Sequence, residues 1–240
     1  MNVQVFKSAE QMGKAAAAMF AAQVIKKPES VLGLATGSTP LPVYANLIEM
    51  HKDGLLDFSK VISFNLDEYC GLAQTHDQSY YYFMRENLFK HINIRKEAIH
   101  VPSGTADAEA ESAAYEKAIC AAGGIDLQIL GLGLNGHIGF NEPADDFAKV
   151  THKVRLTEST IEANKRFFAS ADEVPREAIT MGVGTIMAAR EIIIAATGAG
   201  KAEAVAKLVK GEVTPQFPAS VLQMHGCVTV MLDEAAAGLL

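Results

Sequence analysis

Two adjacent carboxylates, Asp67 and Glu68, close the run Ser63-Phe64-Asn65-Leu66-Asp67-Glu68-Tyr69. A carboxylate at the end of a buried strand can act as a general base, because partial burial raises its pKa toward neutrality. The plainer alternative is that one of the pair caps the next turn while the other is solvated. A second reactive set lies in Gly131-Leu132-Gly133-Leu134-Asn135-Gly136-His137-Ile138-Gly139-Phe140-Asn141-Glu142-Pro143. A histidine titrates near neutral pH, and a nearby carboxylate can steer it, so His137 with Glu142 suits the movement of protons between oxygens. A histidine satisfied by loop backbone is the competing reading.

Three further segments could hold an anion. In Gly33-Leu34-Ala35-Thr36-Gly37-Ser38-Thr39-Pro40 a strand runs through a short loop into a helix. Gly37 lets backbone N–H groups approach a phosphate, Ser38 and Thr39 add hydroxyl donors, and the helix start adds partial positive charge. Ser and Thr also favour helix caps, which is the alternative. Lys201, after Thr197-Gly198-Ala199-Gly200, and Arg166, in Glu162-Ala163-Asn164-Lys165-Arg166-Phe167-Phe168, could each bind a phosphate ester or lie on the surface as solvated cations.

Other chemistries fit poorly. Gly131 to Gly136 matches the dinucleotide pattern G-x-G-x-x-G. Yet Gly139 and Pro143 break any helix that should follow, and the acidic partner expected about 20 residues on is replaced by His152-Lys153-Val154-Arg155. The half P-loop at Lys201 lacks its first glycine (Ala195) and the hydroxyl for magnesium (Ala202). No His-Glu-x-x-His and no cysteine pair suggests a metal. Cys70 has no histidine beside it in sequence to activate it and reads as a small buried residue.

The elements that must position these residues follow from hydrophobic pattern. Strands are predicted at Val31–Ala35, Lys60–Asn65, Asp126–Leu132, Glu191–Ala196 and Cys227–Leu232, with shorter outer strands at Val3–Phe6 and Ala98–Val101. Near-continuous apolar runs alternating with helical patterns imply a doubly wound α/β fold, its mostly parallel sheet covered by helices on both faces. Helices are predicted at Ala9–Lys26, Pro40–Asp53, Tyr80–Leu88, Ala106–Ala122, Lys201–Lys210 and Pro218–Gln223. The polar stretch Leu156–Pro175 reads as a lid or a plain surface helix. In such a sheet ligands bind at the carboxyl ends of the strands, where the four chemical loops fall.

The chain has 240 residues, 49% hydrophobic and 20% charged, enough for one domain spanning residues 1–240. A net charge of −7 gives no basic footprint for nucleic acid. It also requires that an anionic substrate be caught by local positive groups. Three separated cysteines fit reduced thiols. The absence of a signal-like start or of a run of about 18 apolar residues points to the cytoplasm rather than a membrane.

Together the motifs resemble the glucosamine-6-phosphate deaminase family. The resemblance rests on Leu-Ala-Thr-Gly-Ser-Thr-Pro, Phe-Asn-Leu-Asp-Glu-Tyr, Ser-Tyr-Tyr-Tyr-Phe-Met, Gly-His-Ile-Gly-Phe-Asn-Glu-Pro, Ala-Asn-Lys-Arg-Phe-Phe and Met-Gly-Val-Gly-Thr, and it spans most of the chain. It implies conversion of glucosamine 6-phosphate and water to fructose 6-phosphate and ammonia, without a cofactor or metal. The family's enolisation base then falls on Asp67 and its ring-opening histidine on His137, with Glu142 orienting the ring. Asn135 stands where many members carry an aspartate, so Glu142 alone is expected to hold the imidazole, with Asn135 only a hydrogen-bonding position. The phosphate sites fall on Gly37, Ser38, Thr39, Arg166 and Lys201, with Arg166 on a lid. Hexameric members are activated by N-acetylglucosamine 6-phosphate through groups after the Asn-Glu-Pro loop. Here that region reads Asp145-Asp146-Phe147, which implies no such activation and a monomer or small oligomer. A 6-phosphogluconolactonase of related fold and a phosphosugar-sensing module are the rival readings; the first needs no carboxylate over C2, the second needs a DNA-binding segment.

Overall fold

Runs such as Val31-Leu32-Gly33-Leu34 carry no polar alternation, so both of their faces must be buried. The computed structural model, which describes residues 1–165, 168, 170 and 173–240 (the side chains of 159, 163 and 164 excepted), buries them in a seven-stranded parallel sheet. Its strands are β1 (Asn2–Phe6), β2 (Val31–Leu34), β3 (Ile62–Asn65), β5 (Ile99–His100), β6 (Leu127–Gly131), β9 (Glu191–Ala196) and β10 (Val228–Asp233), in spatial order β1-β10-β9-β6-β2-β3-β5. Every pairing in this sheet is parallel. Helices α1 (Ala9–Lys26), α2 (Leu41–Lys52), α3 (Tyr80–Asn87), α4 (Ala108–Ala121), α6 (Val183–Met187) and α7 (Ala202–Lys210) flank it, giving the doubly wound α/β fold.

The order of the sheet locates the site. From β2 the chain moves outward to β3 and β5, then returns to the other side of β2 as β6 and continues outward to β9 and β10. The direction of winding therefore reverses between β2 and β6. Connections leaving these neighbours diverge and open a crevice at their carboxyl ends. The Gly37-Ser38-Thr39 loop leaves β2 there, and the His137 loop leaves β6. Lys201 follows β9, the next strand along.

Two features depart from the expected elements. Pro218–Met224 forms 3-10 helix rather than α-helix. A second, three-stranded antiparallel sheet also appears, in the order β4 (Asp67–Tyr69), β8 (Glu177–Thr180) and β7 (His152–Arg155). β7 is half exposed and reads His-Lys-Val-Arg, so it carries no apolar run to announce it. This small sheet and α5 (Glu158–Asn164) enclose a separate core of Tyr69, Phe140, Leu156, Ile161, Val174 and Ala178. The main core is built from the large sheet and its helices, with Phe20, Tyr44, Phe64, Leu130 and Ile193 fully buried.

Candidate active site

Asp67 sits where the two sheets meet. The Leu66 N–H donates to the Leu34 carbonyl at the end of β2, and the Met181 N–H, just past β8, donates to the Leu66 carbonyl. Asp67 thus follows the end of β3 directly and opens β4, facing Thr180 across the antiparallel pair. Its side chain is only 6% exposed. No described side chain donates a hydrogen bond or offers a cation to its carboxylate. Asp126, equally buried at the opposite end of the sheet, shows what a structural carboxylate looks like. It takes Lys27 Nζ at 2.7 Å, Arg190 Nη1 at 3.0 Å and the Val31 N–H at 2.8 Å. Lacking such partners, Asp67 is pushed up to about 8, first by burial and then by the charge of Glu68.

Glu68 has the other role foreseen for the pair. Its carboxylate accepts from the backbone N–H groups of Tyr69 at 2.8 Å, Tyr80 at 2.9 Å and Tyr81 at 3.0 Å. The last two are the first N–H groups of α3, which have no partner inside their own helix. Burial raises the pKa of Glu68, and the three N–H donors pull it partly back. The alternative in which the remaining member of the pair is solvated fails, because the small sheet covers Asp67.

The β6 loop brings its histidine to the same crevice, and glycines make the space. A Cβ on Gly133 would lie 2.3 Å from His137 Nδ1, so only glycine lets the ring rest against that backbone. Gly139 has φ +57, and a Cβ there would stand 2.8 Å from Thr180 Oγ1 and 3.4 Å from Asp67 Oδ2. The loop therefore passes against Asp67 two residues after His137. Asn141 fixes it further, since Nδ2 donates to the carbonyls of Ile138 and Met181, both at 2.8 Å, while its buried Oδ1 has no partner.

The imidazole is held differently from expectation. Asn135 Oδ1 accepts from His137 Nδ1 at 2.7 Å, while Glu142 Oε2 stands 3.7 Å from that nitrogen. Asn135 Nδ2 donates to Glu142 Oε2 at 2.6 Å. Glu142 does not hold the ring alone; the amide stands between them, because it alone has both an acceptor and a donor end. A carboxylate only accepts, so the NH₂ of Asn135 must face Glu142 and its oxygen must face the ring. Nδ1 therefore carries a proton, and in the neutral ring the lone pair lies on Nε2. Burial works against the charge of Glu142, but the imidazole, Thr160 and Asn135 outweigh it and hold the group at about 2. Thr157 and Thr160 both reach Glu142 Oε1, and nothing in the sequence reading singled them out beyond the lid stretch.

Of the anion-binding candidates, Gly37 has φ +92 and lies exposed with Ser38 between β2 and α2, with Thr39 partly covered. No side chain caps α2, which starts from Pro40, so the cap reading of Ser38 and Thr39 does not hold. Lys201 Nζ donates to the Leu132 carbonyl at 2.7 Å, directly before the His137 loop, and burial lowers its pKa. Arg166 lies outside the described residues. Cys70 is half-buried rather than buried, and burial pushes its thiol up, away from the reactive thiolate. Among the described residues, no group of three or more His, Cys, Asp or Glu side chains could hold a metal.

Known proteins share both sequence and shape with this chain. The family model of glucosamine-6-phosphate isomerases and 6-phosphogluconolactonases matches residues 6–231. A glucosamine-6-phosphate deaminase of Thermoanaerobacter sp. (strain X514) is 56% identical over all of this chain and 95% of its own length. A solved structure of a monomeric glucosamine-6-phosphate deaminase superposes with a TM-score of 0.97 at 43% identity, over the whole of both chains. The 6-phosphogluconolactonase of Trypanosoma brucei shares the fold, with a TM-score of 0.79 at 23% identity over 100% of this chain and 98% of its own.

Proposed function

The chain belongs to the family of glucosamine-6-phosphate isomerases and 6-phosphogluconolactonases, and from that premise we propose that it converts glucosamine 6-phosphate and water to fructose 6-phosphate and ammonia. The observation that carries this choice is Asp67: a buried carboxylate with no donor or counter-ion among the described residues, against the loop that bears His137. Lactone hydrolysis has no use for a base over C2, whereas an aldose-to-ketose shift cannot proceed without one. The identity of 56% to a deaminase supports the same side.

In this reading His137 Nε2 takes the proton of the C1 hydroxyl and returns it to the ring oxygen, which opens the sugar to an aldehyde. Asn135 and Glu142 steady the imidazolium formed in between, the amide passing the influence of the charge to Nδ1–H. Asp67 then removes the C2 proton, made acidic by the C1 carbonyl, and gives it to C1, while a proton of the C2 ammonium passes to the C1 oxygen through the enolamine. The resulting C2 iminium adds water and expels ammonia, so the overall reaction is hydrolytic. Neither a metal nor an organic cofactor enters these steps. Gly37, Ser38, Thr39 and Lys201, at the crevice between β2, β6 and β9, bind the phosphate, with Arg166 as a further cation for it. The chain acts as one unit over residues 1–240, with residues 156–175 as its lid and α5 the described part of it. It works as a monomer or small oligomer in the cytoplasm, without nucleic acid. No helix among the described residues is long and apolar enough to cross a membrane.

The test is to mix the protein with glucosamine 6-phosphate and follow both products. Equimolar fructose 6-phosphate and ammonia, lost in Asp67→Asn, is the expected result. Hydrolysis of 6-phosphogluconolactone with neither product formed would overturn the mechanism and leave the phosphate crevice standing.

A further inference from the structure

The helix α5 is tied to the imidazole by side chains. Thr157 is its N-cap, accepting from the Thr160 N–H at 3.3 Å. The Thr160 hydroxyl donates to Glu142 Oε1, and the Thr157 hydroxyl lies 3.3 Å from the same oxygen. The second oxygen of Glu142 takes Asn135 Nδ2, and Asn135 Oδ1 takes His137 Nδ1–H. Four side chains thus form an unbroken line from helix to ring, with every donor and acceptor direction fixed by the carboxylate at its centre. The line also joins two bodies that pack separately. Leu156 and Ile161 belong to the small core with Tyr69 and Phe140, whereas Leu132 and Ile138, on either side of His137, belong to the main core.

We propose that Thr160 is a positioning residue for ring opening, coupling the docked position of α5 to the orientation of the His137 imidazole. This rests on the reading of His137 as the ring-opening group. With α5 docked, the Thr160 hydroxyl occupies Oε1 and turns Oε2 to Asn135, whose amide then holds Nδ1–H and leaves the Nε2 lone pair toward the crevice. Without that hydroxyl the carboxylate is free to rotate, the amide loses its fixed direction, and the ring loses its preferred tautomer. The consequence is an enzyme that opens the sugar ring efficiently only when its lid helix is in place.

Thr160→Val, Thr160→Ser and Asn135→Ala separate this role from a merely structural one. Three readouts apply: steady-state kinetics, the affinity for a reduced, open-chain amino alditol phosphate, and the ¹⁵N spectrum of the His137 ring. The expected result for Thr160→Val is a fall in kcat of about tenfold or more, since small misplacement of a reacting group is costly. KM and affinity for the open-chain compound, which needs no ring opening, stay within about twofold. The serine variant regains most of kcat, and adding Thr160→Val to Asn135→Ala costs little more than Asn135→Ala alone, as coupled sites require. The ring spectrum shifts from Nδ1–H toward a tautomer mixture in Thr160→Val. Unchanged kcat overturns the proposal. So does a loss of kcat and open-chain affinity together without rescue by serine, which marks a general packing defect, and so does full additivity. Wild-type protein without deaminase activity would instead sink the parent reading, and an unmoved ring spectrum would then dispose of the coupling as well.

Discussion

At the scale of single residues, the site is a contrast between two buried carboxylates. Asp126 is held by two cations and a backbone N–H, while Asp67 meets, among the described residues, no cation and the neighbouring negative charge of Glu68. A proposed base with a pKa of about 8 is ionised in only a minority of molecules at pH 7. Because kcat/KM reports the free enzyme, its pH profile should rise through about pH 8 and level off above it. A profile flat from pH 6 to 9 would remove Asp67 from the role of base. In Asp67→Asn the remaining kcat should lie below a tenth of wild type, given the 10²–10⁴-fold value of positioned proton transfer, roughly, and the rise through pH 8 should vanish. Asn135→Ala deprives His137 Nδ1–H of its acceptor and Glu142 of a donor. A fall in kcat of about tenfold with KM little changed is expected, the behaviour of a group that assists only the reacting state.

At the scale of elements, β4 is where sequence becomes machinery. Three residues long, it carries the proposed base, the acceptor that starts α3, and Tyr69, which packs 4.8 Å from Tyr80 and 5.7 Å from Phe140. Glu68→Ala leaves three N–H groups without an acceptor, at a cost of about 3 kcal/mol or more. For a chain of this size that is a fall in Tm of about 6–12 °C, readable by calorimetry. Glu68→Gln keeps an acceptor oxygen but removes the charge beside Asp67. Its loss of stability should be smaller, and the midpoint of the kcat/KM profile should move below about 8. A midpoint that stays in place would show that burial alone sets the pKa. The apolar strands of the large sheet were foreseen to within a residue or two because burial on both faces dictates their composition. β7 and β8 were not: β7 has one face exposed and carries no apolar run, and β8, although largely buried, is only four residues long, too short to show a pattern.

At the scale of the molecule, the site is maintained against the stability of the fold. An acid whose pKa is about 8 when folded and about 4 when unfolded binds its proton more tightly in the native state. Wild-type stability from this group is therefore full below pH 4 or so and declines as pH rises toward 8. Asp67→Asn carries no charge to desolvate. Its Tm should exceed that of wild type by an amount that grows between pH 5 and 8, measured by thermal melts across that range. A constant difference would mean that the carboxylate is less buried than its 6% exposure indicates. Inactive but more stable is the expected pairing for a base kept in an unfavourable place.

Much of this was written in the order of residues. Continuous apolar runs determined the parallel sheet, the loops after them determined where ligands could bind, and the glycines of 131–139 marked a close backbone approach. Asp67, His137 and Glu142 could be singled out as candidates because they follow the ends of predicted strands, and the family resemblance then gave each a role. What the tertiary structure alone decided was how they are partnered. The different partnering of Asp67 and Glu68 depends on which of the two neighbours finds three N–H groups, two of which belong to a helix that begins twelve residues later. Asn135 as the link between His137 and Glu142, and Thr160 as its continuation into α5, depend on side-chain directions across 26 residues of chain from 135 to 160. Hydrogen bonds are short and directional, so their partners follow from the folded path of the backbone. Hydrophobic burial is neither, and that is why it could be read from the pattern alone.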